Sequence, residues 1–117
     1  MNLVIQGTKN FSDYSIFLSA MRTAMIILQE QESDNLTVFS AGPVKVNNMA
    51  REFINVTERS LKSRGVKTKL VNIPPKWIDK NLADIDYFVY LCNPKESVSP
   101  QVEVARAKDV EVGIYRY

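Results

Sequence analysis

Five short apolar runs alternate along this chain with segments whose apolar residues recur every three or four positions, and that alternation narrows the fold more than any other feature. The runs read as strands near residues 2–6, 36–40, 67–72, 86–91 and 110–115. The first holds Leu3-Val4-Ile5, and the strongest is Tyr87-Phe88-Val89-Tyr90-Leu91, aromatic and β-branched throughout its centre. Strands that are apolar without interruption and alternate with helices belong to a parallel sheet covered on both faces. Right-handed crossovers then give an open, doubly wound arrangement. The expected fold class is α/β: one Rossmann-like three-layer domain over residues 1–117, with a five-stranded, mainly parallel sheet and the first strand central.

The helical segments carry their own boundaries. Tyr14, Phe17, Leu18, Met21, Met25 and Leu28 trace one face of a helix, with Ser12 or Asp13 as N-cap. Met49, Phe53, Val56 and Leu61 trace a second, for which Asn47 is the expected N-cap. Gly65 ends it, and Lys62 and Arg64 suit the negative end of the helix dipole. Pro74-Pro75 stops the third strand, and Trp77 to Ile85 leaves room for one or two helical turns. Ser99-Pro100 reads as an N-cap followed by proline at the first helical position, opening a helix to about Lys108.

At 117 residues, 45% hydrophobic and 24% charged, the chain is long enough for one core without staples. Histidine is absent, which removes Ser–His and Cys–His nucleophiles, His metal ligands and His-based pH switching. The single cysteine, Cys92, allows no intrachain disulfide and no structural zinc site, so a reducing, cytoplasmic setting is expected. No paired-carboxylate motif is visible. The residues therefore assign no catalytic group, no metal and no cofactor. Fifteen basic against thirteen acidic residues give a net charge of +2, and on that balance nucleic acid is not expected as a partner. The longest apolar run, Ala24 to Leu28, is too short to span a bilayer, and no basic segment precedes the first apolar residues. Neither a membrane partner nor a signal peptide is expected.

In open parallel sheets, ligands sit beyond the carboxyl ends of the strands. The loops to consider are residues 7–13, 40–48 and 93–100. In the first, Gly7 permits close backbone approach, Thr8 and Lys9 offer a hydroxyl and a cation, and Asp13 precedes the helix. The same residues also make an ordinary strand-to-helix turn. In the second, Ser40, Gly42, Lys45 and Asn47 could meet an anion at a helix start, or could simply form a packing loop. The third contains no glycine, and Glu96 opposes an anion there. Tyr87, Tyr90, Tyr115 and Tyr117 fall on both faces of their strands, which favours packing over a base-stacking platform. Trp77 fits a plug at the end of the core, and Cys92 a small core residue.

The motifs carry a resemblance beyond their periodicity. Gly7-Thr8-Lys9-x-Phe11-x-Asp13 resembles the opening G-[ST]-R-x-F-x-D of the YspA-like (YpsA-related) branch of the SLOG superfamily, Rossmann-like domains related to the lysine-decarboxylase-like LOG proteins and to DprA. Ser40-Ala41-Gly42-Pro43-Val44-Lys45-Val46-Asn47 stands where that family has S-G-G-A-R-G-x-D, and Ile73-Pro74-Pro75-Lys76-Trp77 resembles its (F/I)-P-A-D-W. The last strand, loop and helix follow in the family's order. Ala41, Val44, Lys45 and Asn47 depart from its second motif, and the third loop lacks its glycines. The resemblance implies a nucleotide or nucleotide-derived ligand, sensed or sequestered at Gly7, Thr8, Lys9, Asp13, Ser40, Gly42, Lys45 and Asn47.

Two functions stay open at this point. One is a binding module for such a ligand. The other is a non-enzymatic interaction or accessory protein, of the size found in phages and mobile elements, on a scaffold whose nucleotide site has decayed. The broad apolar face of the first helix (Phe17, Met21, Met25, Ile26, Ile27, Leu28) predicts a homodimer or other homo-oligomer in either case.

Overall fold

A computed structural model describes residues 1–116, so Tyr117 lies outside the described residues. The elements are β1 (Asn2–Gly7), α1 (Tyr14–Glu30), β2 (Asn35–Ser40), α2 (Val44–Ser63), β3 (Lys67–Asn72), α3 (Pro75–Lys80), a 3₁₀ turn (Leu82–Asp84), β4 (Tyr87–Cys92), α4 (Pro100–Ala107) and β5 (Val112–Arg116). The strands pair in the order β3-β2-β1-β4-β5, every pair parallel, with β1 in the centre. The chain is α/β with the Rossmann-like three-layer architecture that the alternation predicts.

Each face of the sheet has its own core. Leu3 and Ile5 of β1 join Val89 and Leu91 of β4 beneath α1 and α2, with Phe17, Met21, Phe53 and Leu61 above them. Val4, Phe88, Tyr90 and Cys92 point the other way, beneath Ile78 of α3 and Val102 and Ala105 of α4. That is why β1 and β4 read as unbroken apolar runs: alternate residues enter different cores. β3 and β5 lie at the sheet edges and are only half covered.

The helix ends follow local chemistry. Asp13 caps α1, its carboxylate accepting the Ile16 N–H at 3.0 Å, and Ser99 caps α4 through the Val102 N–H at 3.3 Å. Gly65, with φ +80°, supplies the left-handed residue after α2. Two boundaries differ from the sequence reading. Asn47 is not the N-cap of α2: the helix begins one turn earlier, after Pro43, and Asn47 lies inside its first turns. The fixed φ of proline suits the cap position, while the Asn47 side chain turns back to serve the preceding loop. The last strand starts at Val112 rather than at 110, because Asp109 turns through φ 61° and the Val110 N–H still bonds Ala105 of α4.

The aromatic residues pack. Tyr87 and Tyr90 are buried, and the Tyr87 and Tyr115 hydroxyls lie 2.7 Å apart above Gly113. Burial, with the Tyr115 hydrogen bond second, holds the Tyr87 hydroxyl far above the ordinary tyrosine range. Trp77 stacks on Phe39 at 4.4 Å and closes the end of the α3–α4 core. Cys92 is buried, its thiol donating to the backbone carbonyls of Asn93 and Glu96. Among the described residues no helix is long and apolar enough to cross a membrane.

Candidate functional site

Because all five strands run the same way, the loops after β1, β2 and β4 leave at one edge of the sheet. α1 and α2 cover one face and α3 and α4 the other. The connections therefore reverse direction between β1 and β4, and the switch-point crevice lies between residues 7–13 and 93–99. The sequence reading opposed the first loop to the second. The topology gives the first loop a neighbour on each side.

Both sides are laced by the chain's own hydrogen bonds. Toward β4, the Thr8 N–H donates to the Leu91 carbonyl at 2.9 Å, and the Thr8 hydroxyl accepts the Asn93 N–H at 3.2 Å. Thr8 is accordingly buried. Toward β2, the Gly7 N–H donates to the Gly42 carbonyl at 3.0 Å. The buried Ser40 hydroxyl and the Gly42 N–H both converge on the Asn47 side-chain oxygen, the latter at 2.9 Å. Ser40, Gly42 and Asn47 are thus brought together, in a knot that holds Gly42 at φ +88°. The missing side chain of Gly7 admits Val46: a Cβ at Gly7 would stand 2.8 Å from a Val46 methyl and 3.1 Å from the Leu91 carbonyl. The close approach that glycine allows is taken by the protein itself.

The charged candidates remain at the rim. Lys9 and Lys45 are exposed, and the carboxylate of Asp13 is committed to the α1 cap. Of the three helices of eight or more residues that begin at this edge, α1 has Asp13 at its start, and α4 has Ser99 and then Glu103. α2 has neither a side-chain cap nor an acidic residue in its first turn, so its N–H groups face the rim with Lys45 among them.

Two participants went unrecognised in the sequence. Val46, fully buried, is the residue that fills the crevice beside Gly7. Gln6, buried at the carboxyl end of β1, accepts the Ser99 hydroxyl at 2.7 Å and donates to Gln101 at 3.3 Å. Its signal was available: a glutamine closing an otherwise apolar strand needs a partner once buried. Among the described residues no buried side-chain polar atom is left unpaired, and no three acidic or cysteine side chains gather as a metal site would need.

Comparison with known families, curated proteins and solved structures returns no match.

A well-formed groove lies elsewhere. Its volume is about 600 Å³, and it runs between the C-terminal halves of α1 and α2, floored by Met21, Met25, Phe53, Leu61 and Val66. That volume lies within the range of small-molecule ligand sites. Beside it, Leu18, Arg22, Ile26 and Glu30 follow one another at four-residue steps along the outer face of α1. Leu18 is 39% exposed and Ile26 52%.

Proposed function

We propose that this chain is a non-catalytic interaction module that pairs with a second copy through α1, on a scaffold reduced from the SLOG type. The observation that carries the reading is the stripe Leu18-Arg22-Ile26-Glu30, apolar and charged by turns and exposed beside an apolar groove. The stripe complements itself. An antiparallel copy of α1, related by a two-fold axis at Ile26, sets Arg22 of each chain against Glu30 of the other around paired Ile26 side chains.

The charge order gives a sharp test. Sedimentation velocity at 50 µM protein and low salt is expected to show a dimer. Arg22→Glu sets like charges together and should weaken association at least tenfold, while the swap Arg22→Glu/Glu30→Arg restores it. A monomeric parent, or an Arg22→Glu variant that dimerises as well as the parent, ends this reading.

The uncapped start of α2 supports a second reading: a small phosphate-bearing, nucleotide-derived ligand held at the rim by Lys9, Lys45 and the first N–H groups of α2. The bulk of Val44 and the missing N–H of Pro43 favour a single phosphate over a dinucleotide. A thermal-shift panel of nucleotides at 1 mM should then reveal a stabilising ligand whose effect disappears in Lys9→Glu. No shift in the parent, or an undiminished shift in the variant, removes the ligand from this edge.

A further inference from the structure

The near-neutral total charge conceals a strong segregation. Residues 59–80 contain seven of the fifteen basic side chains and a single carboxylate, Asp79. Five of those cations, Arg59, Lys62, Arg64, Lys67 and Lys69, fall within eleven positions that hold no acidic residue. The segment therefore carries +6, and the rest of the chain, with eight basic and twelve acidic residues, carries −4.

The fold brings part of this charge to one edge of the sheet, where Lys67 and Lys69 lie on β3 and Lys62 of α2 shares a surface hollow with Lys67. The segment runs from the last turns of α2 through β3 to the end of α3. β3 is the edge strand of the sheet, α2 flanks it on one face, and α3 belongs to the other. All seven cations, Lys76 and Lys80 of α3 included, are exposed. Among the described residues none of them is engaged in an ion pair. Nearby carboxylates are few: Glu58 beside Lys62 and Lys67, and Glu32 and Asp34 at the groove that Arg64 borders.

Protection of a bare strand edge accounts for part of this pattern, since lysines on an edge strand deter pairing with other chains. It accounts for Lys67 and Lys69. It does not account for the cations that α2 and α3 add on either side. The opposite edge makes the contrast: β5 carries Arg116 alone, and Asp109 and Glu111 precede it.

We propose that the β3 edge, with the flanking ends of α2 and α3, binds the phosphodiester backbone of duplex nucleic acid without reading its sequence. A six-residue strand extends roughly 17–20 Å, and over that length a duplex presents about ten phosphates, more than enough to meet the cations of β3 and those that flank it. Lysine predominates, and lysine acts on phosphate as a mobile point charge rather than as a planar base reader. Single-stranded binding calls for exposed aromatic platforms. Trp77, the one aromatic residue of the segment, is instead stacked against Phe39. This inference is independent of the α1 pairing and of the rim phosphate.

Fluorescence anisotropy with a labelled 20-base-pair DNA duplex, and in parallel an RNA duplex, tests it on the full chain. At 50 mM NaCl the parent should bind at least one of them with a micromolar Kd. If four phosphates are engaged, affinity should fall roughly a hundredfold by 200 mM. Lys67→Glu/Lys69→Glu should weaken binding at least tenfold. Lys95→Glu/Lys108→Glu, the same change in net charge made elsewhere, should weaken it less than threefold. Circular dichroism and melting temperature confirm that both variants are folded. No binding at 50 µM protein, or equal losses in the two variants, overturns the proposal. So does binding to vesicles containing phosphatidylserine with none to either duplex.

Discussion

Gly113→Val is expected to destabilise the protein by about 3 kcal/mol, although valine is by far the better strand residue. The two considerations have opposite signs, so their magnitudes decide. Strand propensity spans about 1 kcal/mol. Against it, a Cβ at Gly113 would lie 2.0 Å from the Tyr87 hydroxyl and 2.8 Å from the Tyr115 ring. Tyr87 is buried and its hydroxyl is held by Tyr115 at 2.7 Å, so it has little room to retreat. Overpacking of this kind costs about 1–3 kcal/mol, and losing a buried hydroxyl pair adds about 1. Thermal or urea unfolding checks the sign directly. Tyr87→Phe removes the nearest atom and should cushion the valine, making the double variant more stable than the two single losses predict. A Gly113→Val protein as stable as the parent would show that the tyrosine pair does not rest on the glycine.

The second large effect lies at the carboxyl edge. Gly7→Ala should cost about 2 kcal/mol, because the new methyl meets Val46 at 2.8 Å and the Leu91 carbonyl at 3.1 Å. Val46→Ala alone should also destabilise, by about 1–2 kcal/mol, as a buried branched side chain is lost. Combined, the two changes relieve each other, and the double variant should be at least 1 kcal/mol more stable than their sum. Relief stays incomplete, since the Leu91 carbonyl belongs to the backbone of a central strand. Urea denaturation of the four proteins gives the cycle. Strict additivity would mean that Val46 does not occupy the space Gly7 leaves.

These two glycines mark where the sequence was legible and where it was not. The apolar runs disclosed the strands, because β1 and β4 place alternate residues in two cores and no polar residue interrupts either centre. Asp13, Ser99 and Gly65 disclosed helix ends, because a cap acts on its own neighbours within a few positions. Gly7 was legible as a close approach, but not what approaches it. Val46 lies 39 positions away, and only the packing of α2 over β1 brings the two together. Asn47 shows the same limit. As a polar residue ahead of a helical pattern it suggested a cap, whereas its carboxamide satisfies Ser40 and Gly42 across a turn set by Pro43. Gly113, within a short terminal strand, gave no local hint that a tyrosine from β4 would lie over it.

The two helical layers are unequal, and that asymmetry bears on how the molecule opens. α1 and α2 contribute 17 and 20 residues to one face, whereas α3 and α4 contribute 6 and 8 to the other. Partial unfolding in native conditions proceeds through units with the least buried contact. The thin α3–α4 layer is expected to open first, while β1, β2, α1 and α2 keep their shared core. Backbone amides should therefore fall into two exchange classes divided by the plane of the sheet. A partner seated on α1 would grip the slow half, leaving the fast half free to rearrange without breaking that grip.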